Sequence, residues 1–400
     1  MSISSYMEKL LDGVEVEWLP LDEIGKFIRG NGLQKKDFIE TGFPAIHYGQ
    51  IYTKYGLSAD ETFTYISEEL AKKLRKAGRN DLLLATTSEN DEDVVKPLAW
   101  LGNQCAISGD MMLFRHKQNV KYLAHYFLTE EFQAQKRKYI TGAKVRRVSS
   151  GDLSKIVVPI PCPNNPEKSL AIQAEIVRIL DAFTAMTAEL TAELNLRKKQ
   201  YNYYRDQLLS FEEGEVEWKA LGKIAEINTG QKPSEILDTE AEFDYINAGT
   251  TRSGYCALSN CEGDTVTTPS RGQGGIGFVG YQNKSFWLGP LCYKIRSIDN
   301  KVLINKYLFY ILQSKNQLLL GLKKEGGVPA VNKSDLAKLE VPVPSITEQE
   351  RIVEILDKFD TLTTSIQEGL PREIELRQKQ YEYYRDLLLS FPESHSNEAA

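Results

Sequence analysis

The chain has few of the residues that announce an enzyme or a membrane protein. It holds five cysteines in 400 residues, at positions 105, 162, 256, 261 and 292. So odd and scattered a set gives no disulfide framework and fits reduced thiols. Cys256 and Cys261 lack a second Cys or His pair at ligand spacing, so they read as structural thiols and no metal is expected. The four histidines, His47, His116, His125 and His395, form no recognisable acid–base set. No Walker lysine motif occurs, and Asn164-Asn165-Pro166 is not the Asn-Pro-Pro-aromatic signature of amino-group methylation. Gly275-Ile276-Gly277-Phe278-Val279-Gly280 does satisfy GxGxxG. However, SRGQG precedes it and YQNKSFWLG follows it, where a dinucleotide site needs a strand and a helix. It reads instead as a glycine-rich turn, or as a loop whose bare backbone approaches a ligand. No apolar run approaches the length of a bilayer span, and MSISSYMEKLLDG lacks a secretory apolar region, so a cytoplasmic protein without membrane contact is expected. The net charge of −6 excludes polyanion binding through overall charge, though not through a local basic surface.

What is present is a duplication. LRKKQYNYYRDQLLSF (196–211) returns as LRQKQYEYYRDLLLSF (376–391), differing only at Lys198/Gln378, Asn202/Glu382 and Gln207/Leu387. The segments between the copies repeat more loosely. Trp18, Leu21, Ile24 and Gly30 match Trp218, Leu221, Ile224 and Gly230, and Phe43, Ile46 and Gly49 match Phe243, Ile246 and Gly249. An apolar content of 42% suffices for two ordinary cores. Tyr6, Leu10, Leu11, Gly13 and EVEW (15–18) echo Tyr204, Leu208, Leu209, Gly214 and EVEW (215–218), which predicts a circular repeat whose two ends meet.

In the first half FPAIHYG (43–49), DLLLATT (81–87) and AISGDMMLF (106–114) read as strands, YLAHYFL (122–128) and FQAQKRKY (132–139) as helix, and DLSKIVVPIP (152–161) as a closing strand. The second half runs parallel to it with FDYINAG (243–249), DTVTTPS (264–270), GPLCYKI (289–295), KYLFYILQS (306–314) and DLAKLEVPVP (335–344). A long helix follows each closing strand. Ile172, Ile176, Ile179, Phe183, Met186 and Leu190 step by four and three, as do Ile352, Ile355, Phe359, Leu362 and Ile366. Tyr201, Tyr204 and Leu208 resume one stripe, and Tyr381, Tyr384 and Leu388 the other. Gly369-Leu370-Pro371 should kink or restart the second helix. The expected fold is α+β: two α/β domains separated by two long antiparallel helices in an intramolecular coiled coil, with pseudo-two-fold symmetry. The boundaries are an N-terminal helix fragment (1–12), a first variable domain (13–165), helix one (166–211), a second variable domain (212–345), helix two (346–391) and a disordered tail (392–400).

Basic clusters are the positive chemical sign. Lys136, Arg137, Lys138, Lys144, Arg146 and Arg147 lie close in sequence, and Lys35 and Lys36 precede His47, Tyr48, Tyr52, Lys54 and Tyr55. Lys232, Arg252, Arg271, Gln273, Lys323, Lys324 and Asn332 hold comparable places in the second half. Such side chains read base edges or grip phosphates. Lys35, Lys36, His47, Tyr48, Lys54, Tyr55, Lys144, Arg146 and Arg147, with those seven of the second half, are the DNA-contact candidates.

Two diverged domains, each followed by a near-identical helix, paired VPIP (158–161) and VPVP (341–344), and circularly placed ends resemble the specificity (S) subunit of type I restriction–modification systems. The EVEW starts look most like the type IC subgroup. The resemblance implies two target recognition domains that read the two halves of an asymmetric, split DNA sequence. It implies a chain without catalysis or cofactor of its own. Two methyltransferase (M) subunits binding S-adenosylmethionine, and restriction (R) subunits using ATP and Mg2+, are the implied partners. Tyr201, Tyr204, Arg205, Tyr381, Tyr384 and Arg385 are the candidates for coiled-coil packing or M-subunit docking. The competing reading is a non-catalytic coiled-coil scaffold that does not bind DNA.

Thr187-Ala188-Glu189-Leu190 is followed at once by Thr191-Ala192-Glu193-Leu194. One such unit adds about 6 Å of helix, against roughly 3.4 Å of rise per base pair. Inserting a third unit is expected to lengthen the spacer between half-sites by about one base pair. Mapping the methylated sites of the insertion variant checks this, and an unchanged spacer would contradict it.

Overall fold

The short apolar run Leu82–Ala85 becomes a strand buried on both faces. Side chains alternate across a strand, so Leu82 and Leu84 enter one core cluster while Leu83 and Ala85 enter another. Its neighbour Met111–His116 divides in the same way, with Met112 and Phe114 on the first side and Met111 and Leu113 on the second. The structure is a computed structural model and describes residues 14–212, 214–272, 274–324, 328–365 and 367–391. The expected N-terminal helix fragment and C-terminal tail lie outside the described residues, as do Gln273 and Ile366. Two compact units result, one from the residues up to Glu189 with those from Ile374 onward, the other spanning Leu190–Glu373.

The first unit carries a five-stranded sheet in the order Gly25–Arg29, Met111–His116, Leu82–Ala85, Lys96–Trp100, Ser58–Ala59. A second sheet runs Thr64–Ile66, Phe43–Ile46, Cys105–Ile107, Lys76–Ala77, with its central pair parallel. Val16–Pro20 pairs antiparallel with the closing strand Val157–Pro161. Helix α1 (Val120–Tyr126) covers the larger sheet, its N-terminus capped by the Asn119 side chain.

The second unit repeats the plan with fewer strands. Its main sheet runs Ala225–Thr229, Cys292–Ser297, Thr265–Pro269, Gly280–Gln282, and a smaller one holds Phe243–Ile246 between Tyr255–Cys256 and Trp287–Leu288. Glu217–Ala220 pairs with the closing strand Glu340–Val343. Thr265–Pro269 is buried along its whole length despite three threonines. The hydroxyls of two of them are satisfied by backbone carbonyls, Thr268 donating to Phe278 at 2.8 Å and Thr265 to Glu262 at 3.0 Å.

Helix α2 (Pro166–Leu208) is continuous for 43 residues. In the second unit α3 (Asn305–Ser314) stands where α1 stands in the first, and α4 (Ile346–Thr364) leaves its closing strand as α2 leaves the other. Helix α5 (Leu370–Leu389) completes the second arm. Between α4 and α5 the predicted interruption is a short non-helical segment in which Gly369 takes φ +88°. A Cβ there would lie 2.4 Å from the Thr361 carbonyl oxygen, so only glycine closes this turn. The seam differs from the heptad reading near its root. Ile172, Gln173, Ile176, Val177 and Leu180 are buried, whereas Met186 is exposed. Ile172, Ile176, Val177 and Leu180 belong to the domain core, which imposes its own face on the helix before the aromatic seam begins.

One buried glutamine ties each arm to its domain. In the first unit Gln173 Oε1 accepts from the Asn119 backbone N–H (2.9 Å), while Nε2 donates to Gln118 Oε1 (2.8 Å) and Ser169 Oγ (3.0 Å). In the second, Gln349 Oε1 accepts from the Ile304 N–H (2.9 Å) and Nε2 donates to the Val302 and Pro344 carbonyls (2.9 Å each). Both receive the backbone N–H of the residue that caps α1 or α3. Two buried tyrosines repeat as well: Tyr122 donates to the Pro159 carbonyl at 2.7 Å and Tyr307 to that of Pro342 at 3.1 Å. Replacing Gln173 by Leu would strand the Asn119 N–H and the Gln118 amide. It is expected to cost about 2–3 kcal/mol, measured by denaturant unfolding; a change within experimental error would show the bonds to be dispensable.

Candidate nucleic-acid interface and docking helices

In the first unit the basic candidates fall into two groups. Lys35 and Lys36 lie exposed on the turn Lys35–Asp37, near the helix Tyr48–Thr53 that follows strand Phe43–Ile46. His47 is buried and caps that helix, its Nδ1 accepting from the Gly49 N–H at 3.2 Å. Burial, with the nearby Lys35 charge, holds its pKa below the ordinary histidine value, which favours this acceptor role. Tyr48 is half-buried, its ring 4.6 Å from His47. Tyr55 is buried in the core, where its hydroxyl accepts from the Phe63 N–H and burial pushes its pKa up to about 12. Sequence adjacency thus overstated this group: His47 and Tyr55 serve the fold, and Lys35, Lys36 and Lys54 present charge to solvent.

The second group sits on a separate two-stranded sheet that follows strand Leu82–Ala85 in the chain. Arg146–Arg147 pairs with Thr87–Ser88, and Thr141 bridges Arg147 to make a hairpin. Arg146 is held inward by an ion pair to Asp91 (2.8 Å) and a bond to the Gly142 carbonyl (2.6 Å). Lys144 and Arg147 are exposed. Lys136 does not join them. It is fully buried, its Nζ donating to the Glu92 and Val94 carbonyls at 2.9 Å, and burial lowers its pKa to about 8.

In the second unit Arg271 and Lys324 are brought together, since each forms a backbone bridge to Ala330. Lys324 also pairs with Asp335 at 2.8 Å. Lys323 and Lys232 are exposed, and Asn332 is the exposed residue preceding the short helix Lys333–Leu336. Arg252 pairs with Asp244 at 3.0 Å and lies 4.0 Å over the Tyr255 ring, which fixes its plane. The glycine run is a turn entering strand Gly280–Gln282 rather than a helix, and a Cβ on Gly275 would lie 2.7 Å from the Gly249 nitrogen. That close approach lets the run and Gly249–Arg252 line one cleft.

On the arms the duplicated tyrosines separate into two faces. Tyr384 stacks on Phe183 at 5.1 Å in the first unit, and Tyr204 on Phe359 at 5.8 Å in the second. Tyr381 is buried, its hydroxyl 2.9 Å from His125 Nδ1, and burial pushes its pKa up to about 12. Tyr201 is half-buried beside Phe359, with its hydroxyl donating to Gln313 at 3.3 Å. Arg205 and Arg385 pair with Asp206 (2.8 Å) and Asp386 (2.9 Å) and lie over Tyr201 and Tyr381. Tyr203 and Tyr383, by contrast, are 62% and 65% exposed, and Leu196 and Leu376 are exposed with them. These four were missed because they lie off the apolar stripe. Their signal was that each pair is identical in the two copies although exposed; the Tyr203 and Tyr383 rings meet Tyr204 and Tyr384 edge to face at 5.4 and 5.2 Å.

The chain matches the type I restriction modification DNA specificity domain twice, over residues 13–197 and 213–376. It belongs to that family. It is the DNA-recognition component of such a system, a part that has no catalysis of its own. It is 39% identical to the Escherichia coli EcoR124I/EcoR124II specificity subunit, over 98% of both chains. It is 36% identical to the EcoprrI specificity subunit of the same organism, over 92% of this chain and 93% of the relative. The S subunit crystal structure from M. genitalium shares the fold at a TM-score of 0.60 and 15% identity, over 95% of this chain and 98% of that one.

The two faces predict opposite outcomes. Tyr204→Ala, at a residue that is 41% exposed, and Tyr384→Ala should each destabilise the isolated chain by about 1–2 kcal/mol through the lost ring stacking. Tyr203→Ala and Tyr383→Ala should change it by less than about 0.5 kcal/mol. Thermal melts of the four variants decide, and equal effects would contradict the division.

Proposed function

We propose that the chain reads an asymmetric, bipartite DNA target, one half with each recognition domain, and docks two methyltransferase subunits through its duplicated helix ends. The observation that carries this reading is the pattern of sameness and difference. The arm roots and helix ends repeat residue for residue at Gln173/Gln349, Phe183/Phe359 and Tyr204/Tyr384. The exposed cationic positions of the domains do not. Identical docking surfaces suit two copies of one partner, and unlike readers on a duplicated frame suit two unlike half-sites, as identical readers suit a palindrome. Tyr203 and Leu196, with Tyr383 and Leu376, are the residues of the arms best placed to meet that partner.

In this assembly S-adenosylmethionine belongs to the methyltransferase subunits, and ATP and Mg2+ to restriction subunits that join them in the cytoplasm. The target adenine is flipped from the duplex by the methyltransferase. The protein's own charge of −6 is compatible with this because phosphate neutralisation is shared with its partners. Co-expression with the cognate methyltransferase subunits, followed by methylome sequencing, is expected to reveal methylated adenines in two unlike half-sites at a fixed spacing. The double variant Tyr203→Ala/Tyr383→Ala should weaken copurification of the methyltransferase about tenfold or more. A palindromic site would overturn the reading of two unlike half-sites, and no methylation by an intact complex would overturn it in favour of a scaffold that does not bind DNA.

A further inference from the structure

A backbone bridge shortly before the closing strand recurs in both units. In the first, Thr141 and Arg147 bridge each other while Arg146–Arg147 pairs with Thr87–Ser88, just beyond strand Leu82–Ala85 in the chain. In the second, Lys324 and Ala330 bridge each other while Ala330 also bridges Arg271, just beyond strand Thr265–Pro269. Val148 and Val331 then turn into the core, and the turns Ser150–Leu153 and Lys333–Leu336 lead to the closing strands. Along this stretch the sequences read GAKVRRVSSGDLSK and GGVPAVNKSDLAK. Three residues before each buried valine stands a second valine, Val145 or Val328, and these are 43% and 56% exposed.

An exposed branched aliphatic side chain among cations adds little to the stability of the free chain. Its flanks have diverged, Arg146-Arg147 against Pro329-Ala330, while the valine is the same in both copies. The cationic setting also recurs: Lys144 and Arg147 are exposed beside Val145, and Arg271 and Lys324 both bridge Ala330, two residues after Val328. A two-stranded ribbon is narrow enough to enter the major groove of B-DNA, where the thymine C5-methyl is the apolar feature that an aliphatic group reads. Cations on the same ribbon then meet phosphates on either side of the groove.

We propose that Val145 is a specificity-determining residue of the first recognition domain, carried into the major groove by the Thr141–Arg147 hairpin against a thymine methyl, and that Val328 holds the same place in the second domain. This rests on the reading that the two domains bind DNA half-sites. Lys144 and Arg147 position the hairpin, and the valine supplies the base preference.

The test uses the complex with its methyltransferase subunits and a library randomised across both half-sites. Val145→Ala is expected to reduce the preference for a T·A pair at one position of one half-site by about tenfold, leaving the other half-site and the melting temperature unchanged. Val328→Ala should do the same in the other half-site only. Lys144→Ala should weaken binding evenly across all sequences and flatten its salt dependence. A selective wild-type complex whose preferences are unaltered in both valine variants overturns the assignment of these residues alone. A wild-type complex without sequence preference overturns it together with the reading it rests on.

Discussion

The structure depends on a buried amide at the root of each arm. Gln173 and Gln349 are both fully enclosed, and each makes three hydrogen bonds, one of them to the backbone N–H that opens a recognition-domain helix. A buried amide without partners costs a few kcal/mol, so these side chains are tolerable only where helix start and arm meet in one geometry. An aspartate eight residues further along each arm repeats the constraint. Asp181 pairs with Lys121 at 2.5 Å and with His125 at 3.3 Å, and Asp357 pairs with Lys306 at 3.3 Å and accepts from Tyr310. Burial holds the pKa of His125 below its ordinary value, so near neutrality it is an uncharged partner of Asp181, and the lysine carries the ion pair. The histidine in one junction and tyrosine in the other show the domain side drifting while the arm side, Asp181 and Asp357, stays fixed.

Much of the fold was legible because it rests on local period. DLLLATT and DTVTTPS gave strands buried on both faces, YLAHYFL and KYLFYILQS gave helices, and Gly369-Leu370-Pro371 marked the break between α4 and α5. The candidate interface was less legible, because a cation or aromatic residue looks alike in sequence whether it faces water or the core. Lys136 lies within a basic run yet is enclosed, satisfied by two carbonyls of the Glu89–Val95 loop. Tyr55 and His47 were hidden by their surroundings in the same way. Tyr203 and Tyr383 show the converse: periodicity discarded them, and only their identity in two copies, joined to their exposure, singles them out.

Repetition separates the constraints on this chain by origin. Residues that meet the chain's own core repeat as chemical types: Tyr122 with Tyr307 on a proline carbonyl, Val148 with Val331, Leu153 with Leu336. Residues of the arm ends repeat at all but three of sixteen positions, and exposed Leu196/Leu376 and Tyr203/Tyr383 are among those that repeat. Residues of the domain loops mostly do not repeat, Val145 with Val328 being an exception. The glycine run at 275–280 exists in one domain alone, where Gly275 admits the Gly249 backbone and opens a cleft beside Arg252. A cleft of that kind changes shape with any loop substitution without disturbing the sheet beneath it.

The second arm shows how a duplicated helix absorbs a difference in length. From Asp357 to Leu376 the chain has four residues more than from Asp181 to Leu196. Kept in a continuous helix, they would add about 6 Å and more than a full turn. They leave the helix instead. Ser365 ends α4, its hydroxyl accepts from the N–H groups of Gln367 and Glu368, and Gly369 folds back over the Thr361 carbonyl before α5 restarts. Proline at the second position of α5 has no intrahelical N–H bond to lose. A glycine at positive φ and a proline in a first turn therefore let the second arm carry extra sequence while its buried root and aromatic end keep the chemistry of the first.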